Sequence, residues 1–155
     1  MTSTGFTLDS RAFSRRIERL RKEAFPGQLE LGLTRAGMQC MNDCVQKAPS
    51  VPMDEGTLQA SGSVFVESHL TGTSEGLSPA SHGTPARDHR ESSGRHETVA
   101  VIGFNQPQAA RLHEHPEYNF QRKKGTEGGK FLETKLVVYR RDYLEIVADT
   151  LREMK

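Results

Sequence analysis

Apolar residues at positions 13, 17, 20 and 24 recur at steps of four, three and four, the spacing of a narrow helical stripe. The pattern predicts a helix over residues 9–24, with Asp9 or Ser10 as its N-cap and Phe25-Pro26-Gly27 as its stop. Arg11, Arg15, Arg16, Arg19, Arg21 and Lys22, against Glu18 and Glu23, cover the other faces. A solvated amphipathic helix is the plain reading of these charges, and a surface lying against an acidic partner or DNA the sharper one. A wider stripe follows, made by Leu29, Leu33, Ala36 or Gly37, Cys40, Met41, Cys44 and Val45. It predicts a second helix over residues 28–47 that is buried on one side. Gly32 and Gly37 each cost about 1 kcal/mol of helix propensity relative to Ala, so another element is expected to pack closely on them. Pro49 and Pro52 end the helix, since each lacks an amide donor and restricts the residue before it.

Beyond a turn-rich stretch the period drops to two. In residues 63–68, Val64 and Val66 fall on one face and Phe65 on the other. In residues 97–104, Val99, Val101 and Gly103 oppose Ala100, Ile102 and Phe104. The two segments are expected to pair antiparallel. Residues 69–95, between them, hold only Leu70, Leu77, Ala80 and Ala86 as apolar side chains. So little apolar surface does not repay the entropy of ordering, and the stretch reads as a mobile excursion between hairpin strands, ordered by a neighbouring subunit or left as a free loop. Residues 107–112 read as a short helical turn, and 121–129 as a basic, glycine-rich tract. Leu132, Leu136, Tyr139, Tyr143, Val147 and Leu151 then predict one last helix over residues 130–154, roughly 36 Å long at 1.5 Å per residue. The expected class is α+β: N-terminal helices and a long C-terminal helix packed on a small antiparallel sheet. Residues 1–8 form a flexible arm and 9–155 one domain.

A length of 155 residues agrees with one domain. Leu, Ile, Val and Phe make up about a fifth of the chain, near the ~20% level at which globular cores give way to disorder. Part of the chain must therefore contribute little to the core. Twenty-one basic residues face 20 acidic ones, a net charge of +1, which argues against a general nucleic-acid binder. No stretch approaches the ~20 apolar residues of a membrane span. Residues 1–10 have neither the cationic start nor the apolar run of a secretory signal, so the expected location is the cytoplasm or an assembly built there. Cys40 and Cys44, four apart on a helix, would hold their Cβ atoms about 5–6 Å apart. A disulfide wants about 3.8 Å, so they read as small core residues rather than a redox or zinc pair.

The densest group of chemically capable side chains is His113, Glu114, His115 and Glu117. The two His bracket a single residue and do not form H-E-x-x-H, so hydrogen bonding at a surface or interface is the preferred reading over a metal centre. His69, His82, His89 and His96 lie in or beside the excursion. The Gly125–Lys130 run lacks the phosphate-loop pattern: Lys124 stands where its first glycine should be, and Phe131 replaces the Ser or Thr. No serine lies in a Gly-x-Ser-x-Gly elbow, and Asp54 and Glu55 are neighbours in a turn whose side chains should diverge. No catalytic set, metal or cofactor is expected.

Two separated stretches are similar to a known family. Residues 47–61 resemble the helix-end signature A-P-x-D-x-G-x-L-x-x-S of small head–tail proteins of tailed bacteriophages and prophages, the neck, tail-completion or minor capsid proteins. Pro49, Asp54, Gly56, Leu58 and Ser61 carry that resemblance. A second block, with Gly103, His113, Glu114, Lys130, Phe131 and Leu132, resembles the same family's V-G, H/E-E/F-G and F-L motifs in the same order. Three departures are visible: Glu55 replaces the usual Thr, Ala109-Ala110 the usual Tyr-Ala, and His115 the usual Gly. The resemblance implies a structural subunit at the head–tail junction, a homo-oligomeric ring of six or twelve copies. Its partners would be other neck, portal-adaptor or tail proteins, with DNA only as passing cargo and no membrane. It implies that the signature residues mainly hold the fold. Inter-subunit contacts are then expected from the N-terminal arm and the excursion, with Arg15, Arg19, Leu77, Arg87 and Arg90 as candidate contact residues. The competing readings are a tail terminator or minor capsid protein, a nucleic-acid module using residues 11–22 and 122–124, and a metal hydrolase using His113 and His115.

Overall fold

A computed structural model of the chain describes residues 15, 25–53, 56–67, 69–74, 98–120 and 125–153. The N-terminal arm, Arg19, Asp54, Leu77, Arg87, Arg90 and the basic tract 121–124 lie outside these residues, as does the predicted first helix apart from Arg15, which is helical and exposed.

Helix α1 (Phe25–Gln46) is the element on which the others converge. Phe25-Pro26-Gly27, where the sequence predicted a stop, is helical. Two glycines explain how α1 is packed on both sides. A Cβ on Gly32 would lie 3.2 Å from Val147 Cα, and one on Gly37 would lie 2.6 Å from Val64 Cγ1. The C-terminal helices therefore close on one flank of α1 and the sheet on the other. A turn closed by Val51 N–H donating to Cys44 O (2.8 Å) leads to the short helix α2 (Thr57–Ala60). Gly56 precedes α2 with φ 82°, a left-handed conformation that glycine adopts without strain.

Strands β1 (Gly62–Val66), β2 (His69–Thr73) and β3 (Ala100–Phe104) form one antiparallel sheet in the order β2-β1-β3. Pairing of β1 with β3 runs from Gly62↔Phe104 to Val66↔Ala100. Val64 and Val66 are buried with Met41 beneath Ala100, Ile102 and Phe104, the face that the alternation assigns. The excursion predicted for residues 69–95 is corrected at its start: His69–Thr73 is an edge strand. Its order comes from the ladder to β1 and from Gly72, whose lack of a Cβ lets Met38 Sδ pack against it, rather than from apolar burial, which is why composition missed it. The register slips by one residue between Val64 and Phe65, and Thr71 Oγ1 donates to Val64 O at 3.2 Å beside the bulge.

After β3 come α3 (Ala109–Glu114), α4 (Phe131–Val138) and α5 (Arg140–Arg152). The single C-terminal helix of the sequence reading is two helices joined at Tyr139, whose φ of −101° and ψ of 16° depart from helical values. Tyr139 N–H still donates to Lys135 O (2.9 Å), and Tyr143 N–H to Tyr139 O (3.1 Å), so the ladder is bent rather than broken. The buried stripe shifts in phase only within α4, where Phe131 and Lys135 face inward and Leu136 is 47% exposed; Tyr143 is buried, and Leu132, Tyr139 and Val147 pack on the core, as the spacing predicts.

Candidate functional site

Residues of the two signature blocks meet at the start of α4. Lys130 caps this helix with φ 55°, and its backbone N–H donates to His113 O at 2.7 Å. Its ammonium donates to Glu114 Oε2 (2.5 Å) and pairs with Glu133 Oε2 (2.9 Å). The His113 ring bridges the same elements: Nε2 accepts the Glu133 N–H at 3.3 Å, and Nδ1 lies 2.7 Å from Glu114 Oε1. Accepting at Nε2 assigns the ring proton to Nδ1, which donates to Glu114. One of the four amides that every helix start leaves unpaired is thereby satisfied from α3. Lys130, and then His113, hold the Glu114 carboxyl below the ordinary carboxylate range, and Glu114, then Glu133, push the Lys130 ammonium up. Beneath this polar layer the Phe131 ring, 2% exposed, sits edge-on to His113 (4.9 Å) and Phe104 (5.7 Å).

A second layer ties the turn after α1 to the same helix. Lys135 is fully buried and donates to Pro49 O at 2.8 Å. Burial lowers its ammonium below the ordinary lysine value. Ser50 N–H donates to Thr126 O (2.7 Å) and Gly128 N–H to Ser50 O (3.0 Å), strapping 125–129 across the turn. Gly128 faces that turn, where a Cβ would lie 3.1 Å from Pro49 Cβ, and Gly129 lets the strap pass the end of α3, where a Cβ would lie 2.7 Å from Pro116 Cα. Asp43, buried on α1, accepts from Gln39 Nε2 (2.9 Å), Lys47 Nζ (3.0 Å) and the Tyr143 hydroxyl (2.9 Å). Cys40 and Cys44 are buried free thiols beside it. The hydrogen bond to Cys40, then burial, raise the Cys44 thiol; burial above all raises the Tyr143 phenol.

The remaining signature residues serve the same core. Leu58 is buried in the cluster that holds Phe131, Ser61 Oγ donates to Leu58 O (2.8 Å) to end α2, and Gly103 pairs with Ser63 in the sheet. Leu132 packs on the cluster from its edge. Sequence reasoning missed Asp43, Lys135 and Tyr143 as a buried polar set. The visible signal was an acid inside the α1 stripe and a lysine four positions after Phe131. His115 stands apart, its Nδ1 2.6 Å from Glu117 Oε1 and its ring stacked on Tyr118 at 4.8 Å. Among the described residues no group of three or more His, Cys, Asp or Glu is placed to hold a metal ion, and both ring nitrogens of His113 are already engaged.

A cavity of about 530 Å³ opens beside the joint, walled by Pro52, Met53, Leu58, Leu112, Tyr118 and Phe120. Arg111 at its lining donates from Nε to the Tyr118 hydroxyl (3.1 Å), with the guanidinium 5.4 Å from the ring centre. This volume suits a small ligand or an inserted side chain. The described lining adds Thr57, Gln108 and Asn119 as neutral polar groups and Arg111 as a cation to these apolar walls, and contains no Ser, Cys, His, Lys, Asp or Glu. No helix among the described residues is long and apolar enough to cross a membrane. No protein family, curated protein or solved structure matches the chain.

Proposed function

We propose that this protein is a structural subunit of a tailed-phage virion, assembling as a homo-oligomeric ring at the head–tail junction. The observation that carries the reading is the joint itself. Pro49, Leu58, His113, Glu114, Lys130 and Phe131, scattered over more than eighty positions, pack into one connection between the turn after α1, α3 and α4. Signature residues that share a core agree with a family whose motifs hold a shape rather than perform turnover. In that role the protein needs no cofactor, and its specificity resides in surfaces presented to copies of itself and to neighbouring neck, portal-adaptor or tail proteins.

Light scattering and negative-stain electron microscopy of the purified full chain test this. Closed rings of six or twelve copies, formed without DNA, support the reading. Protein that stays monomeric at every concentration overturns it, and a salt-dependent gel shift with DNA by the monomer would favour the nucleic-acid alternative. Rings that bind only tail-tube components would move the subunit to the tail end.

A further inference from the structure

Three consecutive apolar residues end α4. Leu136, Val137 and Val138 are 47%, 71% and 62% exposed, and Leu144 on α5 is 58% exposed. Such a run departs from the polar outer face of an ordinary surface helix. The inner side of the same helices is already occupied, through Lys135 on Pro49, Tyr143 on Asp43 and Thr150 on Arg35. Among the described residues the outer face is therefore an exposed apolar patch, of the kind that marks interaction surfaces.

We infer that this face receives the amphipathic segment 9–24 of a second copy of the chain, an inference that rests on the homo-oligomeric reading above. Three observations select that occupant. First, the segment precedes α1 and carries the stripe Phe13, Ile17, Leu20 and Ala24, which spans ~16 Å as a helix, against ~12 Å from Leu136 to Leu144. Second, the charges complement each other. Residues 9–24 hold six basic and three acidic side chains, and the exposed acids beside Leu144, Asp142 and Glu145, are the ones on α4 and α5 not already paired with Lys130, Arg152 or Arg35. Third, the geometry points outward. Arg35 reaches Thr150 and Glu153 while Asp43 meets Tyr143, so α1 and α5 run in opposite directions. Phe25 therefore lies towards the C-terminal end of α5, and the apolar face lies at the other end, on the side turned from α1. A neighbour's segment meets that face directly. Stripe and face are different surfaces, so the contact is head-to-tail and can close into a ring.

The test uses Leu20→Cys and Val137→Cys as separate full-length variants, mixed and oxidised with diamide; Cys40 and Cys44 stay buried. The expected result is a covalent dimer only in the mixture, and a ladder of linked copies from the double variant. A Val137→Asp/Leu144→Asp variant should keep the wild-type circular dichroism while its assembled fraction falls at least tenfold. If wild-type protein assembles but the cross-link is missing or confined within one chain, the inference is overturned and the ring reading stands. If wild-type protein never assembles, the ring reading itself fails.

Discussion

The Tyr143 hydroxyl donates to Asp43 Oδ2 at 2.9 Å across one hundred positions of sequence, and both side chains are buried. This bond joins the first turn of α5 to the last turn of α1. Tyr143→Phe leaves the buried carboxylate with Gln39 and Lys47 as its remaining donors, and the expected loss is about 1–3 kcal/mol. Urea denaturation measures it as a lower midpoint at unchanged slope. An unchanged midpoint would show that the pair contributes nothing net.

The same cluster sets an alkaline limit. Burial above all raises the Tyr143 phenol in the fold, so the unfolded chain releases that proton first, whereas the hydrogen-bonded thiols shift in opposite directions, Cys44 up and Cys40 down. The Tyr143 contribution is then fully present below the ordinary phenol value, about 10, and declines as pH rises past it. Lys135 has the opposite sign: its lowered value means that the unfolded chain binds more protons, so its contribution improves as pH approaches the ordinary lysine value. Denaturation at pH 8 and pH 10.5 should show a falling midpoint, a smaller fall for Tyr143→Phe and a steeper one for Lys135→Met.

Two glycines in one helix should respond in opposite directions. Gly37→Ala forces a Cβ to within 2.6 Å of Val64 Cγ1 and should destabilise by about 1–3 kcal/mol, with partial rescue by Val64→Ala. Gly27 has nothing within 4 Å of its would-be Cβ, so Gly27→Ala should stabilise by up to about 1 kcal/mol. Thermal melts of both variants separate close packing from helix propensity.

Phe131 and Leu136 test the phase of α4. Phe131→Ala empties the space between His113 and Phe104 and should cost about 3–5 kcal/mol. Leu136→Ala, at a half-exposed position, should stay within about 0.5 kcal/mol in a denaturant titration of the monomer.

Periodicity alone determined a good deal here: the buried stripe of α1, the inward face of Val64 and Val66, their antiparallel pairing with 100–104, and close contact at Gly32 and Gly37. These follow from side-chain spacing, and burial of one face is enough to select them. Tertiary structure decided the rest. Residues 69–73 are a strand because β1 offers a ladder, and composition cannot see a partner's backbone. Lys135 rather than Leu136 is buried because the carbonyl of Pro49, 86 positions earlier, accepts its ammonium. His113 and Glu114 were legible as a polar pair, but their task of capping α4 exists only once the chain returns to them through Lys130 and Glu133. Local spacing encodes which face is apolar; only the folded chain brings a donor to a distant acceptor.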